Sequence, residues 1–261
     1  MNKRLTAGIG IIAAATFAFA GCTATGTPST TVTTTTPQIS PAEALIAALG
    51  KLKGQSYDVN LTDRGGTLTA HGSVNGAENS ASISEQGTLE GQHVSISATE
   101  VGTNLWVKLD FGPLNAQLSL DPSKWMLVDK SRITKASGTP FDLGGPDAFG
   151  ITGLLTSVSG VTRTDATHLA GTVDLTAATG VNKPAAGDLT KAGAAAKTVP
   201  FTVTLDDQGR LVDLKIKASG AAADLAGQLV ISNYGSPGPI TTPPAADVIP
   251  APPVLYEILN S

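Results

Sequence analysis

The chain has 261 residues, of which 41% are hydrophobic, 15% are charged and 4% are aromatic, and its formal net charge is −4. The hydrophobic fraction is enough to bury a core, and the length suits one large domain or two small ones. Because the 17 basic residues are scattered and form no stripe that could neutralise phosphates, we expect no nucleic-acid partner. One cysteine and three separated histidines predict no disulfide, no metal site and no bound cofactor.

The first 21 residues resemble a bacterial lipoprotein signal peptide. A positive n-region precedes the apolar stretch 5–20, which is too short to span a membrane. Gly21 and Cys22 follow as in the lipobox, in which the cysteine is acylated, although Phe19 stands where that motif usually has an aliphatic residue. We therefore expect Cys22 to be lipidated and to anchor the protein on the extracytoplasmic side of the cell membrane. The alternative is an ordinary signal peptide with a free thiol.

The rest of the chain divides by composition into three parts. Residues 22–39 are rich in threonine and proline and predict an extended tether. Residues 40–249 carry the patterned apolar residues of a folded domain. Residues 250–261 form a proline-rich and apolar C-terminal tail.

A helix is predicted at the start of the domain. Ser40 is the expected N-cap, Pro41 the first helical residue, and Glu43 completes a capping box. Apolar residues recur from Leu45 at i, i+3, i+4 and i+7, which gives one apolar face, and Gly54 suits the C-terminal end.

After this helix the apolar period changes to two, which is typical of antiparallel strands with one buried face. Further helices are predicted at 146–158 and 184–197, and a hairpin turn at 207–209. Proline and glycine at 236–253 are expected to end the sheet, so the prediction is one α+β domain of about ten strands. The predicted strands lie around 68–74, 81–83, 94–98, 105–109, 118–120, 125–128, 169–175, 201–205, 214–218 and 225–231.

Several inward-facing strand positions carry small residues, and few aromatic side chains are available to fill the space beside them. These positions predict an apolar cavity under a curved sheet, unless the small residues only reflect genome composition. They are Ala70, Gly72, Ala98, Gly171 and Gly227.

Seven segments of the domain together resemble the LppX/LprG family of mycobacterial and actinobacterial lipoproteins. Their order and spacing, with the lipobox and the tether, carry the resemblance over roughly 40–244, although no single motif is diagnostic. The segments are DPSKWM at 121–126, GITGLL at 150–155, THLAGTV at 167–173, VPFTVTLD at 199–206, GRL at 209–211, ISNYG at 231–235 and ITTPP at 240–244.

The resemblance implies a highly curved antiparallel sheet, a LolA/LolB-like half-barrel, with helices across its concave face enclosing an apolar pocket. It also implies that the protein binds acyl chains of envelope lipids and carries them across the cell envelope, without catalysis. The implied partners are an acylated lipid or glycolipid, the membrane through acylated Cys22, and a membrane lipid exporter.

Twelve apolar residues are candidates for the wall of this lipid pocket. For each of them, ordinary core packing is the alternative. The candidates are Leu49, Leu52, Ile83, Val94, Ile96, Val107, Leu154, Leu155, Val158, Val173, Val203 and Ile216.

Two other classes of function compete with lipid binding. An enzyme is disfavoured because the chain has no Gly-x-Ser-x-Gly elbow, its histidines at 71, 93 and 168 fall on polar faces or at a strand start, and Asp206 and Asp207 suit a turn. An envelope protein-binding module, acting as a sensor or an assembly factor, is the stronger alternative. Only the apolar run at 254–259 favours it.

Overall fold

The computed structural model describes residues 39–63, 68–89, 91–133, 149–180 and 183–260. Residues 39–261 belong to one compact unit, and its elements confirm the predicted α+β class. The predicted signal peptide at 1–21, the lipidation site Cys22 and all of the 22–39 tether except Ile39 lie outside the described residues.

The described residues contain twelve strands and five short α-helices. The strands are β1 (Tyr57–Asp63), β2 (Leu68–Asn75), β3 (Ser80–Leu89), β4 (Gln92–Val101), β5 (Asn104–Asp110), β6 (Trp125–Val128), β7 (Val158–Arg163), β8 (His168–Val173), β9 (Val199–Leu205), β10 (Leu211–Ile216), β11 (Gly227–Ser232) and β12 (Val248–Pro250). The helices are α1 (Pro41–Gly50), α2 (Leu114–Gln117), α3 (Ile151–Leu154), α4 (Ala186–Ala192) and α5 (Pro253–Leu259).

All twelve strands form a single open, curled sheet in the order β12-β6-β5-β4-β3-β2-β1-β11-β10-β9-β8-β7. Every neighbouring pair is antiparallel except β12 and β6, which are parallel. Strand β1 pairs with both β2 and β11, so it joins the run β2–β6 to the run β7–β11. We call the inner side of the curl the concave face and the other side the outer face.

The predicted strands around 68–74, 81–83, 94–98, 105–109, 125–128 and 201–205 are confirmed, and so is the hairpin at 207–209. The predicted strands ending at 175, 218 and 231 are confirmed in their centres, with different ends. Strands β1, β7 and β12 were not predicted.

Two predicted elements are wrong. Residues 118–120 form no strand, because Leu118 caps α2 and Ser119 has a positive φ of 53°, which an extended strand does not accommodate. The predicted helix at 146–158 is helical only over Ile151–Leu154 among the described residues, and Val158 already begins β7. Residues 146–148 lie outside the described part of the chain.

Helix α1 begins as predicted. The Ser40 hydroxyl accepts a hydrogen bond from the Glu43 amide at 3.2 Å, and the Glu43 carboxylate accepts one from the Ser40 amide at 2.9 Å. This capping box satisfies two backbone donors that the helix itself cannot pair. The helix ends earlier than predicted, at Gly50, and Gly54 lies in the following turn with a φ of +68°.

The concave face carries two hydrophobic clusters. In the first, Leu45 and Leu49 of α1 pack over β1 and β8–β11. In the second, Leu255 of α5 packs over β3–β6. Val74 and Ile83, on β2 and β3, contact both clusters. The two helices therefore cover different halves of the same sheet.

The segment after β11 begins on the outer face, where it is held by Asp58. This carboxylate is buried on β1 and accepts hydrogen bonds from the Ser73 hydroxyl at 2.6 Å, the Asn233 amide group at 2.7 Å and the Gly238 amide at 2.8 Å. Burial alone would raise the pKa of Asp58, but these hydrogen bonds outweigh it and keep the pKa below the ordinary 3.8. Asp58 thus fixes the start of the C-terminal segment to the sheet.

The same segment ends on the concave face. The proline- and glycine-rich stretch does not end the sheet, because β12 adds to its edge beside β6. Helix α5 then buries Leu255, Tyr256 and Leu259 in the second hydrophobic cluster. The apolar run that favoured a protein-binding module therefore contributes to the core of the domain.

Replacing Asp58 by alanine should lower the free energy of unfolding by about 3 kcal/mol at neutral pH, because one buried hydrogen bond, from Ser73, and two partly buried ones, from Asn233 and Gly238, lose a charged acceptor. The control is Asp213→Ala, which removes a half-buried carboxylate from β10 and should cost under about 1 kcal/mol. Urea unfolding at pH 7 measures both.

The pH dependence of the Asp58 contribution follows from its lowered pKa. The folded state favours the ionised form, so the stabilisation is present above pH 3.8 and is lost as the pH falls further. The difference between the wild type and Asp58→Asn should therefore shrink in acid. An equal difference at pH 3 and pH 7 would contradict this assignment.

Candidate functional site

A cavity of about 360 Å³ lies against the concave face of β1, β2, β3 and β11. Its wall includes Leu61 and Leu229 from the sheet, and Phe149, Pro184 and Leu225 cover it from the opposite side. The volume falls in the range of small-molecule sites, roughly 300–1,000 Å³. This is the candidate site.

Strand register explains why apolar side chains line this cavity. Directly paired residues of antiparallel strands lie on the same face of a sheet. Pairing therefore places five residues in one line from β3 to β10, across β2, β1 and β11. We call this line the cross-strand row, and its members are Glu85, Ala70, Leu61, Leu229 and Leu214.

Three of the five small residues that predicted a cavity lie against packed side chains: Ala98 is buried in the second hydrophobic cluster, Gly171 faces the Phe201 ring, and Gly72 faces the Phe149 ring. The Phe149 ring lies directly over Gly72, so that a Cβ atom at this glycine would lie only 2.6 Å from the ring. Since β-carbon atoms do not approach carbon this closely, a larger residue at 72 would push the ring away. Gly72 thus leaves room for the Phe149 side chain, which closes one end of the cavity. Ala70 and Gly227 line open space as predicted.

A second cavity of about 160 Å³ adjoins the first. The two share five lining residues, among them Leu61, Pro184 and Leu229. The second extends the apolar wall along the row to Leu214 and to Leu154 of α3. Together the cavities follow the cross-strand row from β3 to β10.

The charged side chains of the first cavity are mainly acidic. Its lining includes four carboxylates, those of Asp63, Glu85, Asp188 and Asp224, and one ammonium group, that of Lys183. Asp224 also forms an ion pair with Lys191 outside the lining. Asp63 ends β1. Lys183, Asp188 and Asp224 lie on the segments that cover the sheet.

Glu85 is the one charged member of the cross-strand row. Its neighbours on the concave face are Ala70 and Ile96, and it is half-buried. Within the described residues it makes no hydrogen bond or ion pair. Burial raises the pKa of the Glu85 carboxyl above its ordinary value of 4.5.

The twelve predicted pocket residues fall into four groups. Ile83 lines the first cavity, and Leu154 and Ile216 line the second. Val107 is buried beneath α5, and Ile96 packs against the same cluster. Leu49, Leu52, Leu155, Val173 and Val203 are buried in the cluster under α1, and Val158 packs against it. Val94 is half-buried on β4.

The sequence analysis missed most of the cross-strand row. Leu61 was not identified because β1 was not predicted, although Tyr57, Val59 and Leu61 alternate with polar residues. Glu85 was not identified because only apolar residues were considered as candidates for the pocket wall. Continuing the period of two from Ala81 and Ile83 would have placed it on the concave face.

A third hollow, of about 620 Å³, lies at the edge of the sheet beside β12. It is lined by the turn at 129–132, by apolar residues of β6 and β12, and by Tyr256, over whose ring the Arg132 guanidinium lies at 3.6 Å. Lys130, also in this lining, forms an ion pair with the buried Glu100. No member of the cross-strand row lines this hollow.

The residues considered for catalysis lie apart from the cavities. His71 and His93 are exposed, and the exposed His168 starts β8 beside Asp165, with 2.8 Å between nitrogen and carboxylate oxygen. Asp206 accepts hydrogen bonds from the Gln208 and Arg210 amides, as the predicted hairpin requires. Among the described residues no three metal-ligating side chains gather in one place.

A comparison with protein-family models and one with curated proteins find no match to this chain. No helix within the described residues is both long and apolar enough to cross a membrane.

The raised pKa of Glu85 predicts how stability responds to its removal. The folded state holds the proton more tightly than the unfolded state, so ionisation of Glu85 lowers stability as the pH rises above 4.5. Glu85→Gln should therefore raise the thermal unfolding midpoint at pH 7 and leave it unchanged near pH 3.5.

The control is Glu78→Gln, which removes an exposed carboxylate from the β2–β3 turn and should change little at either pH. Differential scanning calorimetry measures the midpoints. A midpoint that is unchanged or lower at pH 7 for Glu85→Gln would contradict burial as the cause of the raised pKa of Glu85.

Proposed function

We propose that this protein is an envelope lipoprotein, anchored through Cys22, that binds acyl chains of envelope lipids or glycolipids and carries them across the cell envelope. The observation that carries the proposal is the pair of adjoining cavities against the concave face, whose sheet side is mostly aliphatic. The open, curled sheet with helices over its inner side is consistent with a half-barrel carrier.

Such a cavity addresses the main physical obstacle to lipid transport. Each methylene group exposed to water costs about 0.8 kcal/mol, so an acyl chain of a dozen methylenes costs about 10 kcal/mol to withdraw from a bilayer. Burial against aliphatic side chains of the sheet offsets this cost. The proposed tether at 22–39 would keep the domain near the donor membrane.

The resemblance to the LppX/LprG family supports the same function. The segments that carry it include β8, β9 and the C-terminal end of β11. All three strands belong to the sheet whose concave face carries the cavities. The proposal includes no catalytic step. All three histidines are exposed, which favours a function without catalysis.

A tryptophan in the cross-strand row tests the site. Ala70→Trp should fill part of the first cavity, because Ala70 lines it, and should lower the bound fraction of an acylglycerol mixture at least tenfold. Native mass spectrometry of the full chain with Cys22→Ser, which removes the acylation site, measures occupancy.

Thr69→Trp is the matched control, since Thr69 is exposed on the opposite face of the same strand and should bind as the wild type does. Circular dichroism shows whether both variants fold. Undiminished binding by a folded Ala70→Trp would place the site elsewhere, and absence of binding by the wild type would overturn the proposed function.

A further inference from the structure

The volume of the cavities limits how many acyl chains they accept. An apolar cavity of about 150 Å³ holds one benzene molecule, that is, six carbon atoms. On this scale the first cavity, of about 360 Å³, holds about fourteen carbons, and the two together hold about twenty. Two chains of sixteen carbons would need about 800 Å³, which exceeds both cavities combined.

Away from these cavities and from the hollow at the sheet edge, the described concave face is packed with the protein's own side chains. Leu45 of α1 packs over β1 and β8–β11, and Leu255 of α5 packs over β3–β6, each almost fully buried. Phe149 closes the space above Gly72. A second chain would have to displace one of these helices from a packed core, which is unfavourable.

The direction of the chain follows from the cross-strand row. Neighbouring strands lie about 4.8 Å apart, so the row from β3 to β10 is about 19 Å long. Its four members from Ala70 to Leu214 are apolar, and the carboxyl group of Glu85 stands at the β3 end. An amphiphile lying along this row would have its tail at β10 and its polar end at β3.

The charges of the lining determine which polar ends fit. Asp224 is already paired with Lys191, and the half-buried Glu85 stands at the β3 end of the row, so a negatively charged group beside Glu85 would meet a carboxylate in a partly desolvated space. Within the described residues Glu85 has no hydrogen-bond partner. A hydroxyl or ammonium group of a ligand would supply a hydrogen-bond donor to this carboxylate.

We propose that the ligand is a single-chain amphiphile whose polar end donates hydrogen bonds, carries no negative charge and lies at Glu85. This proposal rests on the proposed function, because it specifies the lipid that the same cavity accepts. A monoacylglycerol is the simplest compound of this class, and a fatty-acid anion and a diacylglycerol each violate one of its two requirements.

Affinities for these three compounds test the proposal. Isothermal titration at pH 7.5, with the delipidated full chain carrying Cys22→Ser, should show monopalmitoylglycerol binding at a ratio of one to one. Its dissociation constant should be at least tenfold lower than those of palmitate and of dipalmitoylglycerol, because only it fits both the volume and the charge of the site.

Reversing the charge at the polar end tests the role of Glu85. Glu85→Lys should lower the preference for monopalmitoylglycerol over palmitate at least tenfold. Glu78→Lys makes the same change of charge in an exposed turn and should keep the preference within twofold. If Glu85→Lys does not fold, Glu85→Gln should still lower the preference.

The possible results separate this inference from the function on which it rests. Dipalmitoylglycerol binding as tightly as monopalmitoylglycerol would overturn the single-chain assignment and leave lipid binding intact. Palmitate binding equally tightly, or an unchanged preference in a folded Glu85 variant, would overturn the assigned role of Glu85. If none of the three compounds binds, the proposed function is overturned as well.

Discussion

The antiparallel pairing of β1 with both β2 and β11 is the constraint on which the rest of the structure depends. It joins two runs of strands into one sheet and fixes their relative register. That register places Leu61 in line with Ala70 on one side and Leu229 on the other. A shift of one residue in β1 would turn Asn60 and Thr62 inward and break the apolar row.

The sheet is wide, and the protein's own segments cover most of its inner face. Helix α1 covers one half, and the C-terminal segment reaches the other half after starting from Asp58 on the outer face. The cavities remain where β1–β3, β10 and β11 are covered by Phe149, Leu225 and short helical segments instead of a long helix. No described residue of α1 or α5 lines either cavity.

Local patterns in the sequence predicted the local parts of this architecture. The capping box at Ser40 and most strands were predictable because they depend on neighbouring residues, and β1 itself carried the alternating signal. The positions of the cavities were not predictable. They depend on Phe149 reaching Gly72 and on α5 returning to the far half of the sheet, which are contacts between distant parts of the chain.

The measurement that tests the account most directly is the identification of what the protein carries. The full chain with Cys22→Ser would be produced in a membrane-bearing host, purified without detergent, extracted with organic solvent and weighed by mass spectrometry. We expect close to one equivalent of an acylated lipid per chain. A stably folded protein that yields no lipid and takes up none when it is added would contradict the account.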